Sequence, residues 1–190
     1  MSKEQVKSKG GRGARQRILD AAAELFYREG INATGVERLA AESSVSKRTL
    51  YQHFPSKTAV VEEYLRSVED RVAAVLQGGD QTPRERLLAV FEAPMAREGP
   101  LRGCPFHNAA VEAAGAMPGV QEIVRESKRS FIDGLTELAE QAGAVDPQLL
   151  GNELGVLYEG AAALATSLDD CSPWAPARAA AETLIDQAVR

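Results

Sequence analysis

The sequence is poor in the features that tie a protein to a disulfide scaffold, a membrane or a secretion route. It has two cysteines in 190 residues, which excludes a disulfide framework. It contains no uninterrupted apolar run near the roughly 18 residues that a membrane span requires. Residues 1–17 lack the apolar centre of a secretory signal. We therefore expect a soluble cytoplasmic protein without membrane contact.

Signatures of catalysis are also missing. The chain contains no G-x-S-x-G, P-loop or H-E-x-x-H motif, and it has only two histidines. Cys104 and His107 could form half of a site, but zinc requires three or four ligands. The sequence therefore predicts no enzyme, no catalytic residue, no metal and no cofactor.

A net basic charge is lacking too, since the formal charge of the chain is −5 at pH 7. The charge is unevenly divided, because residues 1–57 carry +5 and residues 58–190 carry −10. A basic N-terminal third on an acidic body favours a head that binds a polyanion and a body that DNA repels.

What the sequence does contain is a helix-turn-helix pattern over residues 34–57. Two short amphipathic segments flank Ser43 and Ser44, which stand where a turn is expected. Ser46 suits the N-cap of the second helix, because its hydroxyl can accept a hydrogen bond from a free backbone N–H. The inward positions of the two helices are Val36, Leu39, Ala40, Leu50 and Phe54.

The outward face of the second helix, about residues 47–54, is rich in hydrogen-bond donors and poor in negative charge. Arginine, glutamine and threonine can contact guanine, adenine and the thymine methyl group in the major groove, and cations can contact phosphates. Lys57 opens the next helix, where a cation makes sense if a phosphate docks at that helix end. We predict DNA contacts from Thr34, Ser46, Lys47, Arg48, Thr49, Tyr51, Gln52, His53 and Lys57.

Residues 17–65 resemble the DNA-binding domain of the TetR family of one-component transcriptional regulators. The resemblance rests on RQRILDAAAELFYREG, TGVERLAAESSVS and KRTLYQHFPSK, in which the L-Y-x-H-F-x-x-K run is specific. The family usually has glycine where Ser44 stands, and glycine tolerates left-handed backbone. It usually has threonine at Gly35, alanine at Ser43 and often glycine at Arg48, so Arg48 adds a side chain that bears on operator choice.

Downstream of this head the sequence shows only helical patterns. The predicted fold is therefore all-α, with about nine helices: an N-terminal three-helix helix-turn-helix domain and a C-terminal helical domain for ligand binding and dimerisation. We expect a disordered basic arm at 1–14, the DNA-binding domain at 15–57 and the effector-binding and dimerisation domain at 58–190. The arm either reaches DNA or serves as a solubilising tail.

The last two predicted helices are apolar and rich in glycine and alanine, which permits close helix–helix approach. Two copies of this hairpin would form a four-helix bundle around a two-fold axis. The resemblance implies the same interface, so we expect a homodimer through these helices that binds a palindromic double-stranded DNA operator.

The resemblance also implies a small-molecule effector, of unknown identity, that binds among the middle helices and releases a repressor from its operator. His107 and Asn108 are informative, because they interrupt an apolar helix start. Whether the protein represses or activates is left open. The candidate pocket residues are Phe91, Met95, Cys104, Phe106, His107, Asn108, Val111, Phe131 and Tyr158.

An alternative function on the same scaffold is redox sensing through Cys104. This cysteine precedes a predicted helix N-terminus, where a thiolate is favoured, and His107 lies one turn on. Free cysteines are more often inert core residues, so the alternative stands second.

Overall fold

The computed structural model describes residues 13–92, 102–113 and 115–189. Within these ranges every regular element is an α-helix, which confirms the all-α prediction. The nine helices are α1 (Ala14–Arg28), α2 (Val36–Glu42), α3 (Lys47–His53), α4 (Lys57–Gln77), α5 (Pro83–Glu92), α6 (Pro105–Glu112), α7 (Pro118–Gln141), α8 (Pro147–Leu168) and α9 (Trp174–Ala188). Taken over the described ranges, none of these helices combines the length and apolar character needed to cross a bilayer.

Local signals in the sequence set most helix starts. The Ser46 hydroxyl accepts a hydrogen bond from the Thr49 N–H at 3.0 Å, and Ser56 accepts one from Ala59 at 3.1 Å, so both serines are N-caps. Proline occupies the first position of α6, α7 and α8, where its missing N–H costs nothing.

The helices α1, α2 and α3 form a head whose apolar core continues into α4, α6 and the start of α7. Leu39 and Leu50 are fully buried in this core, and Phe26 packs edge-on against Tyr64 of α4. The head is therefore held on the body through α4 and α6.

A second apolar cluster fills the body between α5, α7, α8 and α9. Tyr158 is partly buried and packs against this cluster, with ring centroids 5.1 Å from both Phe131 and Trp174 and 6.1 Å from Phe91. This aromatic cluster borders the cavity described below.

Candidate DNA-binding surface and body cavity

The outer face of α3 is exposed because two apolar residues fix the opposite face. Leu50 is fully buried and Phe54 is 3% exposed. Lys47, Arg48 and Gln52 are exposed, and Tyr51 is 48% exposed. The helix therefore presents donors to solvent, as the sequence pattern indicated.

The remaining predicted contacts on α3 are less available. Ser46 and Thr49 bond to each other, with their hydroxyl oxygens 2.9 Å apart, so both hydroxyls take part in the helix cap. Thr49 and His53 are half-buried.

The turn before α3 keeps its geometry without glycine. Ser44 adopts φ 53°, in the left-handed region. The Val45 N–H donates to the Ala40 carbonyl at 3.0 Å, which closes the end of α2. Glycine would adopt this conformation at a lower cost in free energy than serine does.

Thr34 does not belong to the exposed DNA-binding surface, contrary to the sequence prediction. Its side chain is fully buried, and its hydroxyl donates to the Gly30 carbonyl at 2.8 Å. It stabilises the loop between α1 and α2, a role that its polar character alone did not reveal.

Lys57 lies in the first turn of α4 beside the Ser56 cap and is half-buried. Burial lowers the pKa of its ammonium group, and the nearby Glu112 carboxylate opposes this shift. Free N–H groups at a helix start favour an anion, so Lys57 lies where a phosphate could be shared between helix and cation.

Lys47 and Arg48 are neighbours on α3 but differ in their electrostatic surroundings. The Lys47 ammonium forms an ion pair with Glu37 in the first turn of α2. This hydrogen bond raises the pKa of Lys47 and lowers that of Glu37. Arg48 has no carboxylate within ion-pair distance among the described residues.

Glu112, at the end of α6, fastens the body to the loop between α1 and α2. Its side-chain oxygen accepts from the Asn32 N–H at 2.7 Å, and its backbone carbonyl accepts from the Asn32 side-chain amide at 2.9 Å. Nearer the start of α6, the Arg102 N–H donates to the Tyr27 hydroxyl at 3.2 Å. These contacts form a clasp between α6 and the head, which sequence analysis missed.

A cavity of about 610 Å³ is lined by residues of α1, α4, α5, α7, α8 and α9 and by the start of α6. Three of the residues predicted for an effector pocket, Cys104, Phe131 and Tyr158, line it. The other lining residues are Asp20, Ala23, Glu24, Tyr27, Tyr64, Val68, Arg71, Val72, Val75, Leu76, Val90, Gly103, Pro105, Ala162, Ala165 and Trp174. Among the described residues the wall is thus mainly apolar and aromatic, with charged groups at Asp20, Glu24 and Arg71.

Five of the residues predicted for an effector pocket do not line this cavity. Phe91 is fully buried in the body core and Phe106 is 4% exposed in the core shared with the head. His107 is exposed, Val111 is 65% exposed, and the Asn108 amide donates to the Arg102 carbonyl at 2.5 Å. The remaining candidate, Met95, lies outside the described residues.

Cys104 is the N-cap of α6 and is half-buried at the cavity wall. The Lys128 ammonium donates to its sulfur at 3.2 Å and also forms an ion pair with Glu159. The second cysteine, Cys171, packs against the body core instead. Within the described ranges, no three His, Cys, Asp or Glu side chains converge as metal ligands would.

The outer face of α8 carries exposed apolar side chains. Val156 is 75% exposed, Leu164 56%, Leu168 61% and Leu149 54%. These positions recur at about helical spacing, so they form a stripe along α8 rather than isolated exposed residues.

Comparison with known proteins agrees with this geometry. The family model for bacterial regulatory proteins of the tetR family matches residues 18–64, and the model for the tetracyclin repressor-like C-terminal domain matches residues 82–181. The chain superposes on the crystal structure of a TetR-family transcriptional regulator from Streptomyces coelicolor with a TM-score of 0.85 and 29% identity, over 95% of this chain and 98% of that one.

Two curated relatives match in sequence. An uncharacterized HTH-type transcriptional regulator of Mycobacterium tuberculosis is 28% identical over 132 residues, which are 64% of this chain and 63% of the relative's length. The HTH-type transcriptional repressor KstR2 of Rhodococcus jostii is 41% identical over 61 residues, which are 32% of this chain and 30% of the repressor. The chain therefore spans less than two thirds of these relatives.

Proposed function

This chain belongs to the TetR family of helix-turn-helix transcriptional regulators, and we propose that it is a homodimeric repressor which leaves a palindromic operator when a small molecule occupies its cavity. The exposed, donor-rich outer face of α3 is the main support for DNA binding. Leu50 and Phe54 anchor the helix from below, so that Arg48, Tyr51 and Gln52 project from the head. Such a face can lie against base edges in a major groove.

Substitutions of Lys57 and Arg48 should distinguish contacts with the DNA backbone from contacts with bases. Lys57 lies at a helix start, so Lys57→Ala should weaken binding to every duplex and reduce the magnitude of the slope of log affinity against log salt by about 1 for each bound head, hence about 2 for the proposed dimer. Arg48→Ala should cost about 1–3 kcal/mol on the preferred operator and relax one base position. Fluorescence anisotropy on a preferred and a shuffled duplex, at several salt concentrations, measures both effects. Equal losses on the two duplexes for Arg48→Ala would show a phosphate contact only.

The apolar stripe on α8 supports the dimer. One head contacts only a few base pairs, whereas two heads one helical turn apart, about 34–36 Å, would bind both halves of a palindrome. Pairing Val156 and Leu164 with a second copy would remove apolar surface from water. Repression itself is supported by the match to a relative named as a repressor, which covers 32% of this chain.

Effector release is supported by the position of the cavity. Its walls include α4 and the segment that opens α6, and both helices also contact the head. The only tryptophan of the chain, Trp174, lines this cavity, so its fluorescence reports occupancy. Compounds that change Trp174 emission should also release the operator duplex, in the same concentration range. Occupancy without release at any concentration would refute effector control.

One observation favours the redox alternative as a second candidate. The contact from Lys128 at 3.2 Å places a cation beside the Cys104 sulfur, an environment that favours reactive cysteines. Peroxide would transfer one oxygen atom to this sulfur, giving a sulfenic acid and water. Loss of DNA binding on peroxide treatment should persist in Cys171→Ser and disappear in Cys104→Ser. Persistence in both variants would exclude Cys104 as the switch.

A further inference from the structure

An acidic side chain forms an ion pair with a lysine on the outer face of α3. Glu37 lies in the first turn of α2, and its carboxylate forms an ion pair with Lys47 in the first turn of α3. Both side chains are exposed, at 67% for Glu37 and 53% for Lys47, so the ion pair contributes little to the stability of the fold. An acid at this place opposes simple attraction of the head to phosphates.

The ion pair changes what Lys47 can do on DNA. A lysine ammonium has three N–H donors, and a carboxylate that engages one of them leaves two for other acceptors. Two donors suit the adjacent O6 and N7 acceptors of a guanine in the major groove. A paired cation contributes less to phosphate attraction, and the carboxylate beside it would repel a phosphate that approached Lys47.

Arg48 provides the contrast on the same helix. It has no carboxylate within ion-pair distance among the described residues, so its charge is available to bases and backbone alike. Two other carboxylates of the head, those of Glu29 and Glu42, both form ion pairs with Arg38 and not with a side chain of α3. Glu37 is therefore distinguished by its partner, Lys47.

We infer that Glu37 is a specificity-determining residue, which holds Lys47 for contact with a base edge and keeps it from the DNA backbone. The inference rests on the proposed function, since it requires α3 to lie in the major groove. It adds that discrimination between operator and other DNA depends on a residue of α2 as well as on α3.

The test compares Glu37→Gln with the unmodified chain on two duplex probes of equal length. One is a duplex recovered by in vitro selection with the unmodified protein, and the other has the same composition in shuffled order. Without its partner carboxylate, Lys47 should gain a phosphate contact, so the shuffled duplex should bind about threefold tighter and its salt slope should steepen by about 0.9 for each bound head. The selected duplex should bind about fivefold weaker, because the oriented base contact is lost.

Glu42→Gln is the matched control, since it removes a similar exposed ion pair, with Arg38, from the same helix. It should leave both affinities unchanged. In a Lys47→Gln background, Glu37→Gln should have no further effect on the ratio of the two affinities, because its partner is already absent. Thermal melts followed by circular dichroism should be the same for all these variants within about 2 °C.

The outcomes separate this inference from the function on which it rests. If Glu37→Gln tightens both probes equally, the carboxylate merely repels DNA and the specificity role is overturned. An effect that persists in the Lys47→Gln background overturns it as well. If selection with the unmodified chain enriches no duplex, the proposed function fails and the inference fails with it.

Discussion

Replacing Gly103 by alanine should reveal how tightly the start of α6 is packed against α8. Gly103 has φ +66°, and a Cβ added there would lie 2.3 Å from the Thr166 hydroxyl oxygen and 3.2 Å from the Ala162 carbonyl. The left-handed backbone costs an alanine about 1–2 kcal/mol. Relieving the overlap requires the Thr166 side chain or the backbone to shift, and overpacking of this kind costs about 1–3 kcal/mol more. The expected loss in free energy of unfolding is therefore about 2–5 kcal/mol.

A matched glycine isolates the contribution of the contact. Gly143 has φ +85°, but a methyl group added there would meet nothing within 4 Å, so Gly143→Ala should show only the backbone cost of about 1–2 kcal/mol. Urea unfolding followed by circular dichroism measures both variants, with the denaturant slope as the check that the unfolded states are comparable. Removing the obstructing hydroxyl with Thr166→Ala in the Gly103→Ala chain should recover most of the difference.

The same substitution should weaken DNA binding, because Gly103 adjoins Arg102 at one end of the clasp and the short α6 connects it to Glu112 at the other end. A displaced start of α6 would carry Glu112 away from Asn32, and the head would lose one of its two attachments. Anisotropy on the selected duplex measures this effect, without urea and at a temperature where the variant is folded. Equal unfolding costs for Gly103→Ala and Gly143→Ala would refute the packing argument.

Two further predictions concern assembly and acid stability. Val156→Glu should convert the proposed dimer to monomers in sedimentation analysis, because it places a charge in the proposed interface. Val156 is 75% exposed, so the substitution should change the stability of the isolated chain little. Hydrogen bonding from Arg15 lowers the pKa of Glu63, so the ionised carboxylate stabilises the fold above the ordinary glutamate pKa, and this stabilisation is lost as pH falls through the lower folded value. The melting temperature of Glu63→Gln should therefore fall less on acidification below about pH 4.3 than that of the unmodified chain.

The head was predictable from the sequence because its signals are local. The cap at Ser46 and the inward positions Leu50 and Phe54 lie within nine residues of one another, and together they fix both the start of α3 and the face that it exposes. Ser44 could be judged only against the family pattern, and the structure shows that serine adopts the left-handed conformation there. Thr34 was assigned by residue type, and its burial follows from loop geometry that no local spacing encodes.

The cavity was only partly predictable, because its wall is assembled from helices that are distant in the chain. The short α6 has apolar residues on more than one side, so its pattern did not determine that Phe106 faces the core while Val111 faces solvent. Tyr27 and Trp174 lie far apart in the chain, and only the packing of α1 and α9 against the body brings them to the same space. The clasp between Asn32 and Glu112, 80 residues apart, was hidden for the same reason.

The strength of these contacts bears on the proposed effector release. Among the described residues, the hydrogen bonds between the α6 segment and the head include two between Asn32 and Glu112 and one from Arg102 to Tyr27. At about 0.5–1.5 kcal/mol each, they amount to about 1.5–4.5 kcal/mol. A ligand shifts the head only by its difference in affinity for the two arrangements, and a preference of about a hundredfold supplies about 2.8 kcal/mol. A preference of that size offsets the hydrogen bonds of the clasp alone, and separating α6 from the head would also expose the apolar side chains of Phe106 and Ala109, which are buried in the shared core.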